Sequence, residues 1–398
     1  MSGRRGSAAG GACGAGRTLR IRLSTYSTKP RGGVVHTLAL AEALARAGHD
    51  VTVWSLARGG DTTFFRPVDP AVTLRLVTVP DVDGESVGAR IVRSIRRLAD
   101  ALGTAAPADV RHAQDCLSAN AEGAAHGYRT LLRTVHHLDE FTTPELAACH
   151  ERAVVEPGGL VCVSAAVADE VRTGWGRSPD VIPNGVDAAR FAAAATDGSG
   201  ARWRERFGRY VLAVGGIEPR KGTHDLVEAM ALLPDVPLVV AGGDSLFDHR
   251  AYRDAVLARA AELPRPPQVL GPVDDRELPG LMAGASAFAF PSTKEGFGLA
   301  AMEALAAGIP LVTRDLPVLR EVFGRAARFA TTPAGFAAAL SEALASPDPA
   351  RAAAGRELAS SHSWDTAAAR QVRTYERFER TTAPPRTTSP GRRGRSGC

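Results

Sequence analysis

Residues 286–313 read SAFAFPSTKEGFGLAAMEALAAGIPLVT. The first five residues are a short apolar run closed by a proline, and IPLVT (309–313) is another. Between them lie a glycine-bearing loop and a helix from about Gly298 to Ala307. Strand, loop, helix, strand is the repeating unit of a parallel sheet. A helix that begins at 298–300 leaves its first N–H groups and its positive dipole end facing outward, which makes a place for a phosphate. Glu295 lies in the loop before that place, and Glu303 lies inside the helix after it. A diphosphate at the helix start would leave a sugar near Glu295 and a ribose near Glu303. On the pattern of charges alone, an acid complementing the dipole and an acid on a solvated face explain the pair equally well.

The same unit recurs on either side. YVLAV (210–214) leads into a Gly-Gly turn and a helix at 223–233, and further strands fall at 237–241 and 268–270 around a helix near 249–262. In the first half, Leu19, Ile21 and Leu23 alternate on a strand at 19–24, and a loop follows from Ser27 to Gly33. Val34, Leu38, Ala41, Leu44 and Ala45 then recur at helical spacing until Gly48, and 51–56 is the next strand. Strand-like runs follow at 72–79, 129–135, 160–163 and 180–182. The expected fold class is α/β, with two Rossmann-like parallel-sheet domains facing across a cleft. The expected division is a disordered tail at 1–17, an N-terminal domain at 18–185 and a hinge at 186–207. A C-terminal domain follows at 208–361, then a terminal helix at 362–380 that crosses back to the first domain, and a disordered tail at 381–398. On that helix Trp364, Ala368, Val372 and Tyr375 share one stripe.

Composition narrows the function classes. A chain of 398 residues with 44% apolar and 23% charged residues suits two globular domains. No run approaches the ~20 apolar residues of a membrane span, and the first twenty residues have no apolar signal core. The five cysteines (13, 116, 149, 162 and 398) show no metal spacing, and their odd number does not suggest a disulfide framework, so a cytoplasmic location is expected. The net charge of +5 misleads: residues 1–20 and 381–398 carry eight arginines and no acid, which leaves the stretch between them at −3. Nucleic acid is therefore not an expected partner. Lysine occurs only at 29, 221 and 294 and asparagine only at 120 and 184.

The string EGFGLAAMEALAAGIPLV, with Glu295 and Glu303 in E-x7-E spacing, resembles the signature of glycosyltransferase family 4, the retaining, metal-independent GT-B enzymes. RGGVVHTLALAEALARAGHDVTV from Arg31, VIPNGVD (181–187), GGIEPRKG (215–222), FAFPS (288–292) and Ser-Trp-Asp at 363–365 extend the likeness over residues 18–380. The resemblance implies that Glu295 contacts the donor sugar while Gly296, Phe297, Gly298 and Leu299 present backbone to the diphosphate. Glu303 would hold the ribose. Lys221 would neutralise the diphosphate in place of a metal, with Gly32 and Gly33 approaching it from the first domain. The family commonly has a second cation where this chain has Gly216, and Arg220 is the neighbouring substitute. A T-x-H pattern aligns with His136, placed near the reacting centre, so His136, Glu295 and Lys221 are the expected catalytic residues.

Other features are weaker. His137 is the alternative to His136, and His112 closes another strand; both have possible acceptor-side roles, with a structural histidine the plainer reading. Asp81-Val82-Asp83 has the form of a metal motif but sits in a Pro/Gly loop and reads as a turn. Arg90, Arg93 and Arg97 make either a solvated face or a peripheral membrane contact. The expected activity is transfer of a sugar from a nucleotide-diphosphate donor to a sugar, lipid or small-molecule acceptor, with no cofactor and no metal. A catalytically silent sugar-nucleotide binder and a GT-B epimerase are the alternatives.

Overall fold

The computed structural model describes residues 17–139, 141, 143–243, 249–346 and 348–382. The expected tails therefore lie outside the described residues, except at Arg17 and Thr381–Thr382. Arg17 pairs with Asp109 at 3.0 Å and with Glu379 at 3.3 Å.

The first sheet is built from β1 (Arg20–Thr25), β2 (Asp50–Arg58), β3 (Val72–Val79), β4 (Val110–Ala113), β5 (Leu131–Val135), β6 (Gly159–Cys162) and β7 (Asp180–Val181). Its order is β3-β2-β1-β4-β5-β6-β7, and every pairing is parallel. The second sheet comprises β8 (Val211–Val214), β9 (Leu238–Ala241), β10 (Gln268–Gly271), β11 (Ala287–Phe290), β12 (Leu311–Arg314) and β13 (Ala327–Ala330). It runs β10-β9-β8-β11-β12-β13, again all parallel. Strands β4, β5, β9 and β11 are buried at every residue, as helices on both faces of a parallel sheet require. In both sheets the order reverses beside the first strand, between β1 and β4 and between β8 and β11. Loops that leave the carboxyl ends of strands diverge there, and that crevice is where ligands of open α/β sheets bind.

The segment expected as a hinge, 186–207, is mostly not a linker. It folds into helices Ala188–Ala194 and Ala201–Phe207, and Phe191 is buried in the second domain's core with Tyr210 and Leu281. Apolar residues within the Ala-rich stretch supply the anchor that its composition hides. The crossing itself is short. Val186 N–H donates to the His362 carbonyl at 2.7 Å, tying it to the start of the last helix, Trp364–Thr382. That helix packs into the first domain's core through Trp364, Ala367, Ala368 and Tyr375. The Tyr375 hydroxyl lies 2.8 Å from His112 Nδ1, and both side chains are fully buried. Tyr375→Phe leaves that nitrogen unpaired and should cost about 1–3 kcal/mol in a denaturant titration; an unchanged midpoint would contradict the contact. No helix among the described residues is long and apolar enough to cross a membrane.

Candidate active site

The second domain supplies two loops from its switch point: 215–222 after β8 and 291–298 after β11. The first makes a single tight turn, Pro219–Lys221, closed by Gly222 at φ 64°. A Cβ on Gly222 would stand 2.1 Å from the Pro291 carbonyl oxygen, so the loops can lie together only with glycine there. That contact sets both cations on one acid. Lys221 Nζ donates to Glu295 Oε1 at 2.5 Å, and Arg220 Nη1 reaches the same oxygen at 3.3 Å. Arg220 Nη2 also donates to Glu218 Oε1 at 3.0 Å. Burial alone would push the Glu295 carboxyl up, but Lys221 and Arg220 outweigh it and hold the group at about 2. Burial works against the Arg220 charge too, and Glu295, Glu218 and Asp139 more than restore it. Arg220 thus adds a second positive charge to the cluster beside Lys221.

Asp139 reaches this cluster from the first domain. It pairs with His137 at 2.8 Å, and His137, Arg220 and Lys294 together overcome its burial to keep it at about 2. His137 therefore faces the cleft as part of the charged cluster.

Helix Leu299–Ala306 starts beside Glu295. Its N-cap is Gly298, which offers no side chain to the first amides. Glu303 turns away from the cation cluster into a cleft of about 1030 Å³, lined also by Leu299, Arg190, Asp275 and Trp364. Burial pushes Glu303 up to about 8; Arg190 opposes this, and Asp275 and Asp187 add to it. An acid with a raised folded pKa contributes stability below its ordinary value near 4.5 that is lost as pH climbs through 8. Glu303→Gln lacks that loss. Its ligand-free Tm should therefore gain on the wild type between pH 5 and 8.5, and a pH-independent difference would contradict the environment described.

His136 follows β5. Burial, followed by its neighbours His36, His137, Arg133 and His112, drives its pKa well below the ordinary value, so the ring is neutral. His136 lies edge-on to His36 with ring centroids 4.7 Å apart, and a Cβ on Gly33 would meet its Cδ2 at 3.4 Å. Gly32 and Gly33 open the helix Gly32–Arg46, whose N-cap Arg31 makes no side-chain cap. Across the cleft, Gly296 packs on the His136 carbonyl so closely that a Cβ would fall 1.5 Å from the oxygen. Gly296 thus abuts the first domain, and the Phe297 side chain is buried in the second domain's core. His112 has no ring nitrogen left for a ligand. Its two ring nitrogens are taken by Tyr375 and, at 2.7 Å, by Thr134 Oγ1, and burial holds its pKa at about 3. Asp81 and Asp83 are exposed in the loop after β3, and Arg93 pairs with Glu85 at 2.6 Å on the solvated face of helix Val87–Gly103.

Sequence reading did not find Glu218, Asp139, His36, Asn184 or Glu321. His36 Nδ1 lies 2.9 Å from Asn184 Oδ1, so the interdomain crossing holds the ring that props His136. Glu321 of the second domain accepts from the amides of Ala165 and Ala166 at 2.7 and 2.8 Å, capping helix Ala165–Trp175 of the first. Glu218, His36 and Asn184 lie within the quoted motifs without having been assigned a role there, and Asn184 was marked besides by the rarity of asparagine.

Two parallel-sheet domains closing a charged cleft over an open helix start define a GT-B arrangement. Residues 30–190 match the family model described as Glycosyltransferase Family 4, and residues 204–357 match Glycosyl transferases group 1. The chain is 32% identical to a glycogen synthase of Mycobacterium tuberculosis, over 90% of this chain and 94% of that one. It is 30% identical to a phosphatidyl-myo-inositol mannosyltransferase of Mycolicibacterium smegmatis, over 88% and 92% of the two chains. Among solved structures it resembles Anabaena Alr3699/HepE in complex with UDP and glucose, with a TM-score of 0.70, 19% identity and coverage of 90% and 99%. Sucrose-phosphate synthase from Thermosynechococcus elongatus gives a TM-score of 0.74 at 19% identity, with coverage of 91% and 100%. The chain belongs to the group 1, family 4 glycosyltransferases.

Proposed function

We propose that this glycosyltransferase moves a sugar from a nucleotide-diphosphate donor to an acceptor hydroxyl, with retention of configuration and without a metal. The observation that carries the reading is the Arg220–Lys221 pair held on Glu295 beside the uncapped helix start at Gly298. An entering diphosphate takes the two cations and the helix amides as its partners. Glu295 is then released to accept hydrogen bonds from the donor sugar. Negative charge grows on the leaving phosphate in the transition state, where Lys221, Arg220 and the amides oppose it in a site screened from water. Glu303, protonated near neutral pH, can both donate to and accept from a ribose. The complexes of Alr3699/HepE with UDP and with UDP-glucose support a sugar nucleotide as donor. The glycogen synthase and mannosyltransferase relatives support a sugar or lipid-borne acceptor.

The test is a thermal-shift panel of UDP-, GDP- and ADP-sugars in excess chelator. One base class should raise Tm, since a ligand at 100 times its Kd stabilises by about 2.7 kcal/mol. A shift that appears only with added Mn²⁺ would contradict a diphosphate held by side-chain cations.

A further inference from the structure

The loop that carries Glu295 is flanked by both domains. Val163, just past β6 of the first domain, is 1% exposed and belongs to the second domain's apolar core with Phe297 and Phe323. A Cβ on Gly296 would stand 3.3 Å from Val163 Cγ2, and one on Gly298 would stand 3.0 Å from Phe323 Cζ. One carboxylate joins the two flanks. Glu321 lies exposed on helix Pro317–Phe323, which Val318, Leu319, Val322 and Phe323 anchor in the second domain. Its oxygens accept from the amides of Ala165 and Ala166, 156 and 155 positions away. Those amides open helix Ala165–Trp175, and Ser164 Oγ accepts from the third, that of Val167. Such amides otherwise face water, and the helix dipole adds to their attraction for a negative charge. Arg320 is paired with Asp315, which leaves the Glu321 charge to the amides.

We propose that Glu321 is a positioning residue for sugar transfer: its carboxylate clasps the start of helix Ala165–Trp175 and holds the first domain against the loop 295–298. The role in transfer rests on the reading above, whereas the clasp stands on the contacts alone. Glu321 touches no group assigned to the donor. It acts through Val163, two positions before Ala165, which packs on the Gly296 side of the loop, and through Phe323, two positions after Glu321, which packs on the Gly298 side. With both flanks tied together, the loop has one place to sit, between the His136 carbonyl and the helix start at Gly298. Arg220, Lys221 and the helix amides all belong to the second domain, so a nucleotide can bind with the clasp open. The reacting centre needs it shut, because misplacement by an ångström slows a positioned reaction.

Three variants test this away from the donor's own contacts. Glu321→Ala removes both acceptor oxygens, and Glu321→Gln keeps one. Ala165→Pro removes one donor from the other side, since proline suits the first helical position. Hydrogen exchange, read by mass spectrometry on peptides covering 163–172, should show the Ala165 and Ala166 amides losing about tenfold or more of their protection in Glu321→Ala. Small-angle scattering should find Glu321→Ala and Ala165→Pro more open than the wild type, both ligand-free and with whichever of UDP, GDP or ADP raises the Tm. Glu321→Gln should lie closer to the wild type, a rescue that loss of local fold would not give. The nucleotide-induced Tm shift should survive in all three variants, which separates positioning from donor binding. Unchanged exchange at 165 and 166, wild-type compactness in both Glu321→Ala and Ala165→Pro, or loss of the nucleotide shift would overturn the assignment. If no nucleotide raises the wild-type Tm, the transfer reading fails, while exchange and scattering of the ligand-free protein still decide the clasp.

Discussion

Glu295→Gln and Lys221→Ala should each lower kcat by about 10²-fold or more, whereas Glu303→Gln should raise the donor KM with a smaller effect on kcat. The difference follows from where the charges sit. Glu295 and Lys221 are 2.5 Å apart, on the two adjoining loops proposed to meet the transferred sugar and the leaving group. Interactions that strengthen as charge develops act on kcat, and the loss of one costs about 10²–10³-fold. Glu303 lines the neighbouring cleft with Arg190 and Asp275. A contact there is made equally in the ground and transition states, so its loss appears in KM. Steady-state kinetics on the three variants checks the split; a crippled kcat in Glu303→Gln with only a KM change in Glu295→Gln would place the donor the other way along the helix.

Gly296→Ala should lower kcat by about 10²-fold while leaving the nucleotide-induced Tm shift largely intact. The added methyl has nowhere to go: its position is 1.5 Å from the His136 carbonyl oxygen and 3.3 Å from Val163 Cγ2, both in the first domain. The second domain keeps its fold and its cations, but the two halves cannot approach as closely. Misplacement by an ångström is enough for a loss of this size. The Glu321 cap on helix Ala165–Trp175 spans the same boundary, so small-angle scattering should show the variant more open than the wild type. A variant of wild-type compactness and full kcat would show that the Gly296 contact plays no part in closure.

The sheets were legible because their strands are short apolar runs and their turns carry glycine. The helices Pro333–Ala345 and Pro349–Ser361 were not located from the sequence. Both are rich in alanine, and the second buries only Gly355 and Ala359, so little contrast between apolar and polar residues marks a face. The hinge was misplaced for the same reason, because Phe191 anchors an Ala run that reads as linker. At the candidate site, Glu295, Arg220 and Lys221 could be singled out because two short local motifs carry them, and the structure brings the three together. Asp139 and Glu321 act across the domain boundary, on Arg220 and on the amides of Ala165 and Ala166, and Asn184 meets His36, 148 positions away; no local spacing encodes such contacts. His112 shows the converse. A strand-end histidine looks like a site residue until Tyr375, 263 positions later, occupies its ring.

Lys221 and Arg220 are proposed to hold a diphosphate that no metal holds. Calorimetric titration of wild type and Lys221→Ala with a nucleoside diphosphate and the matching monophosphate, in excess chelator, tests it most directly. The wild type should bind the diphosphate at least about tenfold more tightly than the monophosphate, a difference of about 1.4 kcal/mol, and Lys221→Ala should erase most of that advantage. A diphosphate preference that survives in Lys221→Ala, or that requires a divalent cation in the wild type, would contradict the account.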